Sequence, residues 1–175
     1  MDGDKPTDGC ITTQGKFEHS FGYYVARIQL QSQPGHWSAF WITGPGVGKV
    51  GDDARDGCEI DIMEKPWLDE RVQHTFHWDG YGKGHKSEGH VAKVPGVMEG
   101  WHSFGLWWKP DEYIFFVDGK ETWRSKGTSP TSRLRRSSSC FATRLPTPQS
   151  HQCRSNRSVA RPGVASRWSR CGRRG

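Results

Sequence analysis

CysGluIleAspIleMetGlu, residues 58–64, alternates apolar and acidic side chains and then breaks its own rule. Alternate residues of a β-strand share a face, so Cys58, Ile60 and Ile62 are expected to point into a core while Glu59 and Asp61 point away from it. Strict alternation would bury Glu64 with the isoleucines. One extra residue, accommodated as a β-bulge near Met63, returns Glu64 to the side of Glu59 and Asp61, and bulges are frequent next to active sites because they re-aim a side chain. The stretch therefore predicts a core strand whose open face carries three carboxylates.

The surrounding sequence predicts more of the same element. Tyr24, Ala26, Ile28 and Leu30 recur at period two, with Arg27 and Gln29 between them. GlnProGly (33–35) turns the chain into TrpSerAlaPheTrpIle (37–42), and the polar stretch from GlyProGlyValGly (44–48) to AspAspAlaArgAsp (52–56) has no pattern. Later, SerPheGlyLeuTrpTrp (103–108) and TyrIlePhePheVal (113–117) flank LysProAspGlu, and AspGly (118–119) leads into LysGluThrTrp (120–123), a tight-hairpin signal. Helical periodicity is absent between Gly15 and Trp123, so the chain is expected to be all-β, an antiparallel sandwich of two sheets, because one sheet could not hide this many aromatics.

Charge divides the chain in two. Residues 1–126 hold 14 Lys and Arg against 19 Asp and Glu, whereas residues 127–175 hold 11 Arg and no other charged residue apart from a single histidine. Of the 21 aromatic residues, 19 precede residue 127, so the capacity for a core lies there. Three regions follow: a loop-like lead-in at 1–14, a partial β-sandwich at 15–126 and a disordered Arg/Ser-rich tail at 127–175. Such a tail is chemically suited to RNA phosphates, but its lack of Lys and its three scattered cysteines fit unselected sequence, such as an out-of-frame extension, and no nucleic-acid partner is expected. The cysteines lack zinc-site spacing, and no segment reaches the roughly 18 apolar residues of a membrane span. No metal is assigned and no membrane partner is expected. The N-terminus, MDGDKPTDGC, has no apolar signal segment.

Three like charges on one face are costly, and glycoside hydrolysis is a chemistry that needs them. One carboxylate serves as nucleophile, a second is kept protonated by its surroundings as general acid, and a third between them tunes both. A solvated strand face that discourages edge pairing is the plainer alternative. Eight tryptophans within residues 1–126 add indole faces on which sugar rings stack.

The blocks GlyTyrTyrValAlaArgIle (22–28), GlyHisTrpSerAlaPheTrp (35–41), EIDIME (59–64), HisTrpAspGlyTyrGly (77–82) and the run from Trp101 to Gly119 resemble, in order, glycoside hydrolase family 16, the β-jelly-roll endo-glycanases. The resemblance covers about residues 10–126 and implies an incomplete jelly roll, truncated at its N-terminus. It implies Glu59 as nucleophile, Asp61 as assisting carboxylate and Glu64 as acid/base of a retaining mechanism, with the extra residue typical of the laminarinase-like and agarase-like branch. His77, Trp37, Trp41 and Trp78 become candidates for substrate binding, and His74 is read as structural. The function so implied is endo-β-1,3(4)-glucanase action on a polysaccharide by a monomer located outside the cell or in the periplasm. The alternatives are a galactan-degrading agarase, porphyranase or carrageenase type, and a non-catalytic glycan-binding fragment. No cofactor is expected, although family analogy allows a structural calcium ion.

Overall fold

The computed structural model describes residues 9–44, 46–51, 54, 57–126, 138–144 and 169–170, the last two segments through their backbone. Eleven strands are present among them: β1 (Gly9–Thr12), β2 (Gly22–Gln29), β3 (Trp37–Thr43), β4 (Glu59–Lys65), β5 (Arg71–Trp78), β6 (Lys86–Lys93), β7 (Trp101–Trp108), β8 (Glu112–Val117), β9 (Lys120–Lys126), β10 (Ser138–Arg144) and β11 (Ser169–Arg170). Every pairing is antiparallel. One sheet runs β11-β1-β10-β3-β4-β5-β6 and the other β2-β7-β8-β9, the two-sheet antiparallel sandwich that the periodicity predicts and the jelly roll that the family resemblance implies.

The period-two pattern settles which side of each strand is covered. Along β2 exposure alternates residue by residue, with Tyr24, Ala26 and Ile28 packed on the core and Tyr23, Val25 and Arg27 outside. From the larger sheet, Phe40, Ile42, Ile60, Ile62, Val72 and Phe76 meet Phe104, Leu106, Trp108, Tyr113, Phe115 and Val117 of the smaller one. Phe76 sits edge-on to Tyr113 at 4.9 Å and to Phe115 at 5.7 Å, the arrangement that aromatic quadrupoles favour. Each such side chain contributes roughly 1.5–3 kcal/mol on burial.

The turns follow local chemistry. Asp118 and Gly119 have φ of 50° and 75°, both positive as a type I′ hairpin turn requires. Gly57 is needed for a different reason, since a Cβ there would lie 2.7 Å from the backbone nitrogen of Val47. That close approach lets Gly46 and Val47 fold against the entry to β4.

Two regions differ from local expectation. The lead-in read as loop contains β1, whose ladder partner is β10 far along the chain, a pairing that no local pattern reveals. Most of the tail lies outside the described residues, and within it β10 and β11 are strands, β10 pairing with β3 from Ser138↔Thr43 to Arg144↔Trp37.

Candidate active site

The extra residue of β4 is where the broken alternation places it. Against β5, Glu59 pairs with His77, Asp61 with Thr75 and Glu64 with Gln73, so Ile62 and Met63 together oppose His74 alone. Against β3, Met63 pairs with Phe40 and Asp61 with Trp41, leaving Ile62 over. Ile62 and Met63 are both fully buried. Glu59, Asp61 and Glu64 consequently share one face of the larger sheet with Thr43, Trp41, Ala39 and Trp37 of β3 and with His77, Thr75 and Gln73 of β5.

A bulge strands a ladder group, and here a side chain takes it up. His74 Nδ1 lies 2.7 Å from the Ile62 carbonyl oxygen, and Nε2 lies 2.9 Å from Thr122 Oγ1 on β9 of the other sheet. Burial lowers the His74 pKa to about 4, so the ring is neutral. A carbonyl only accepts; Nδ1 therefore donates to Ile62, and Nε2 accepts from the Thr122 hydroxyl. The bulge is thus tied across the core to the opposite sheet.

Lys65, 3% exposed, fixes the following turn. Its ammonium donates to the Trp67 carbonyl at 2.6 Å and to the Asp69 carbonyl. Arg71 lies 4.3 Å over the Trp67 ring, a cation–π contact that braces the end of the acid strand.

The three carboxylates have unequal surroundings. Glu64 accepts from Gln73 Nε2 at 3.1 Å and from the Trp37 indole. Burial, then repulsion from Asp61 and Glu59, pushes its pKa up to about 8 against the opposing pull of His77 and Trp37. Asp61 is 3% exposed and faces His77 Nε2 across 3.3 Å. Glu59 Oε2 accepts from the Tyr81 hydroxyl at 2.7 Å. One carboxyl held protonated near neutral pH beside a second that is hydrogen-bonded as an acceptor is the division of labour that acid/base hydrolysis uses.

Sequence-predicted residues distribute as follows. Glu59, Asp61, Glu64, His77, Trp37 and Trp41 lie on the common face. Trp78 does not: it is 7% exposed within the core cluster, because adjacent strand residues point to opposite sides and His77 already takes the groove side. Its expected role as a stacking platform is corrected to core packing. Gln73, Tyr81 and His85 were not singled out. Gln73 was accessible by counting back in twos from His77, whereas Tyr81 and His85 occupy a loop whose path depends on packing.

One donor atom each from Glu59, Asp61 and His77 lies within 4.8 Å of the others. Two carboxylates and an imidazole fall short of the roughly six to eight oxygens that calcium takes, and these groups already contact one another or Tyr81. The set fits proton chemistry better than a calcium cage.

Residues 3–139 match the family model described as glycosyl hydrolases family 16. A beta-glucanase of Rhodothermus marinus is 30% identical over 120 residues, 67% of this chain and 42% of that protein. Beta-porphyranase B of Zobellia galactanivorans is 31% identical over 129 residues, 63% of this chain and 42% of its own length. The solved catalytic domain of an endo-1,3-beta-glucanase (laminarinase) from Thermotoga petrophila superposes with a TM-score of 0.65 at 28% identity, covering 78% of this chain and 57% of that one. The chain spans less than half the length of these two curated relatives. A two-sheet sandwich with a bulged acid strand, matched by the family model over most of its length, places the chain in glycosyl hydrolases family 16.

Proposed function

We propose that the chain carries the catalytic face of a retaining endo-glycanase acting on a β-1,3- or mixed β-1,3/1,4-linked glucan. The observation that carries this reading is the bulge, which puts Glu64, with its raised pKa, on the same face as Glu59. In the proposed cycle Glu64 protonates the glycosidic oxygen while a Glu59 oxygen bonds to the anomeric carbon, expelling the leaving sugar and forming a glycosyl ester. Glu64, now a carboxylate, takes a proton from water as that water attacks the same carbon, and Glu59 departs as a carboxylate. Asp61, between them and beside His77, sets the local charge that holds the proton on Glu64. Trp37 and Trp41 are proposed as groove walls, with Trp37 also bonded to the acid, and His77 as a substrate-facing residue. A polysaccharide substrate is met outside the cell or in the periplasm, and the enzyme is proposed to act there, as a monomer.

The glucan reading rests on the beta-glucanase and the endo-1,3-beta-glucanase among the similar proteins. Porphyran belongs in the test because beta-porphyranase B is as similar in sequence. The experiment measures reducing-end release by the full chain from laminarin, mixed-linkage glucan, porphyran, agarose and carrageenan, with anomeric configuration followed by NMR. Release of the retained anomer from laminarin or mixed-linkage glucan, absent in Glu59→Gln and Glu64→Gln, is the expected result. An inverted product, or hydrolysis that survives both substitutions, would sink the proposal.

A further inference from the structure

The loop between β5 and β6 brings one group to the acid strand that neither strand supplies. We propose that Tyr81 is the positioning residue of the nucleophile: its hydroxyl holds Glu59 by Oε2 and so orients the carboxylate for attack through Oε1. The inference rests on the mechanism proposed above.

Its first support is the way the loop is held. Asp79, 2% exposed and at φ 58°, accepts from the Gly51 amide at 3.1 Å and pairs with Lys86 at 2.8 Å. Gly80 follows at φ 69°, its amide donating to the Val47 carbonyl at 3.2 Å, and a Cβ on it would come within 3.2 Å of the Gly48 carbonyl oxygen. The loop is pinned at its start by the 47–51 segment, so little conformational freedom remains to be lost when Tyr81 engages its partner.

The second support is a ring stack. His85 stacks on His77, with centroids 5.0 Å apart and planes 21° off parallel, and on Tyr81, at 5.7 Å and 27°, while His77 and Tyr81 are tilted by 40° to each other. His77 Nδ1 and His85 Nε2 are 2.9 Å apart. His77 reaches Asp61 and Tyr81 reaches Glu59, so a single stack touches two of the three carboxylates. Partial burial, together with the neighbouring Glu59 carboxylate, raises the Tyr81 phenol well above its ordinary pKa, and the phenol therefore stays a donor.

The bond has a kinetic consequence. A hydroxyl donates more strongly to a carboxylate than to the carbonyl oxygen of an ester. When Oε1 joins the anomeric carbon, Oε2 becomes such a carbonyl and the Tyr81 bond weakens. When water displaces Glu59, carboxylate charge returns to Oε2 and the bond strengthens. Tyr81 therefore assists the second displacement selectively, by stabilising the departing carboxylate.

Two experiments on the full chain test this. In the first, the chain is labelled with ¹³C at the ring carbon bearing the hydroxyl of its four tyrosines and titrated through the acid range by NMR. The Tyr81 signal, assigned by its loss in Tyr81→Phe, is expected to move as its partner carboxylate titrates and to lose most of that movement in Glu59→Gln. A static Tyr81 signal, or one that Glu59→Gln leaves unaltered, overturns the proposal without reference to any substrate. In the second, a dinitrophenyl β-oligoglucoside makes the second displacement rate-limiting. Tyr81→Phe is then expected to lower kcat by about tenfold while kcat/KM stays within about threefold, with a burst of dinitrophenolate. Equal losses in both constants, or none, overturn the role. If the parent chain leaves this substrate intact, the hydrolase reading has failed on that substrate, and the NMR result still decides the Tyr81 contact.

Discussion

Two carboxylate clusters lie on strands of this molecule, and they behave in opposite ways. On β4, Glu64 is surrounded by Asp61, Glu59 and indole, and burial with like-charge repulsion drives its pKa up to about 8. On β8 and β9, Glu112 lies between Lys109 and Arg124 at 2.5 and 2.6 Å, and Glu121 meets Arg124 at 2.7 Å. Both of these glutamates are held below the ordinary range by hydrogen bonds from those cations. The same side chain on the same kind of strand is therefore an acid in one place and a fixed anion in the other. A count of acidic residues cannot separate the two; the charge of the neighbours can.

The comparison breaks most visibly in activity. Replacing Glu64 or Glu59 by Gln should reduce glucan hydrolysis by about a thousandfold or more, whereas Glu112→Gln should leave it unaltered. Parallel assays of the three variants, each checked by circular dichroism for retained fold, decide the matter. Next in size is the support beneath the acid strand. His74→Ala removes a buried ring and both of its hydrogen bonds, at about 2–4 kcal/mol, read as a lower midpoint in urea. Thr122→Val, losing one donor, should cost about 1 kcal/mol.

The pH dependence sharpens the contrast with a definite sign. The folded state holds the Glu64 proton up to about 8, whereas an ordinary glutamate gives it up near 4.5. Between these values the unfolded chain binds fewer protons, so stability falls as pH rises through that window and levels off above it. Glu64→Gln lacks this loss. Its urea midpoint should match the parent at pH 4 and exceed it at pH 9, by about 2 kcal/mol once the opening of the groove to water is allowed for. In the active enzyme, kcat/KM should fall above about pH 8 as the acid loses its proton. The smallest effect belongs to the other cluster: Arg124→Ala should leave activity unchanged and shift the midpoint by no more than the scatter of the measurement, because its ion pairs are open to solvent and screened.

The decisive part of the site was legible because it is local. One odd residue in a period-two pattern locates the bulge, and the bulge dictates which side Glu64 takes. The same parity rule was available for β5, where His77 and Trp78 cannot both face the groove and where Gln73 falls in step with His77. What the pattern could not carry is anything set at a distance. The contact of Tyr81 with Glu59 depends on a loop pinned by the 47–51 segment, the His74 bond depends on Thr122 in the other sheet, and β1 finds its partner in β10. Each is a long-range pairing between segments whose own sequences are unremarkable.

The bulge also bears on how such a strand changes by mutation. Deleting the codon for Met63 would yield GluIleAspIleGlu, a regular strand in which all three carboxylates still share a face and the pairing with Gln73 can persist. Insertion or loss of that one codon is therefore a step that a lineage can take without moving its acids to the wrong side. What the step would strand is His74, whose donor would then face a carbonyl already engaged in the ladder. The histidine and the extra residue are bound to a common fate: a descendant that discards one has little reason to keep the other.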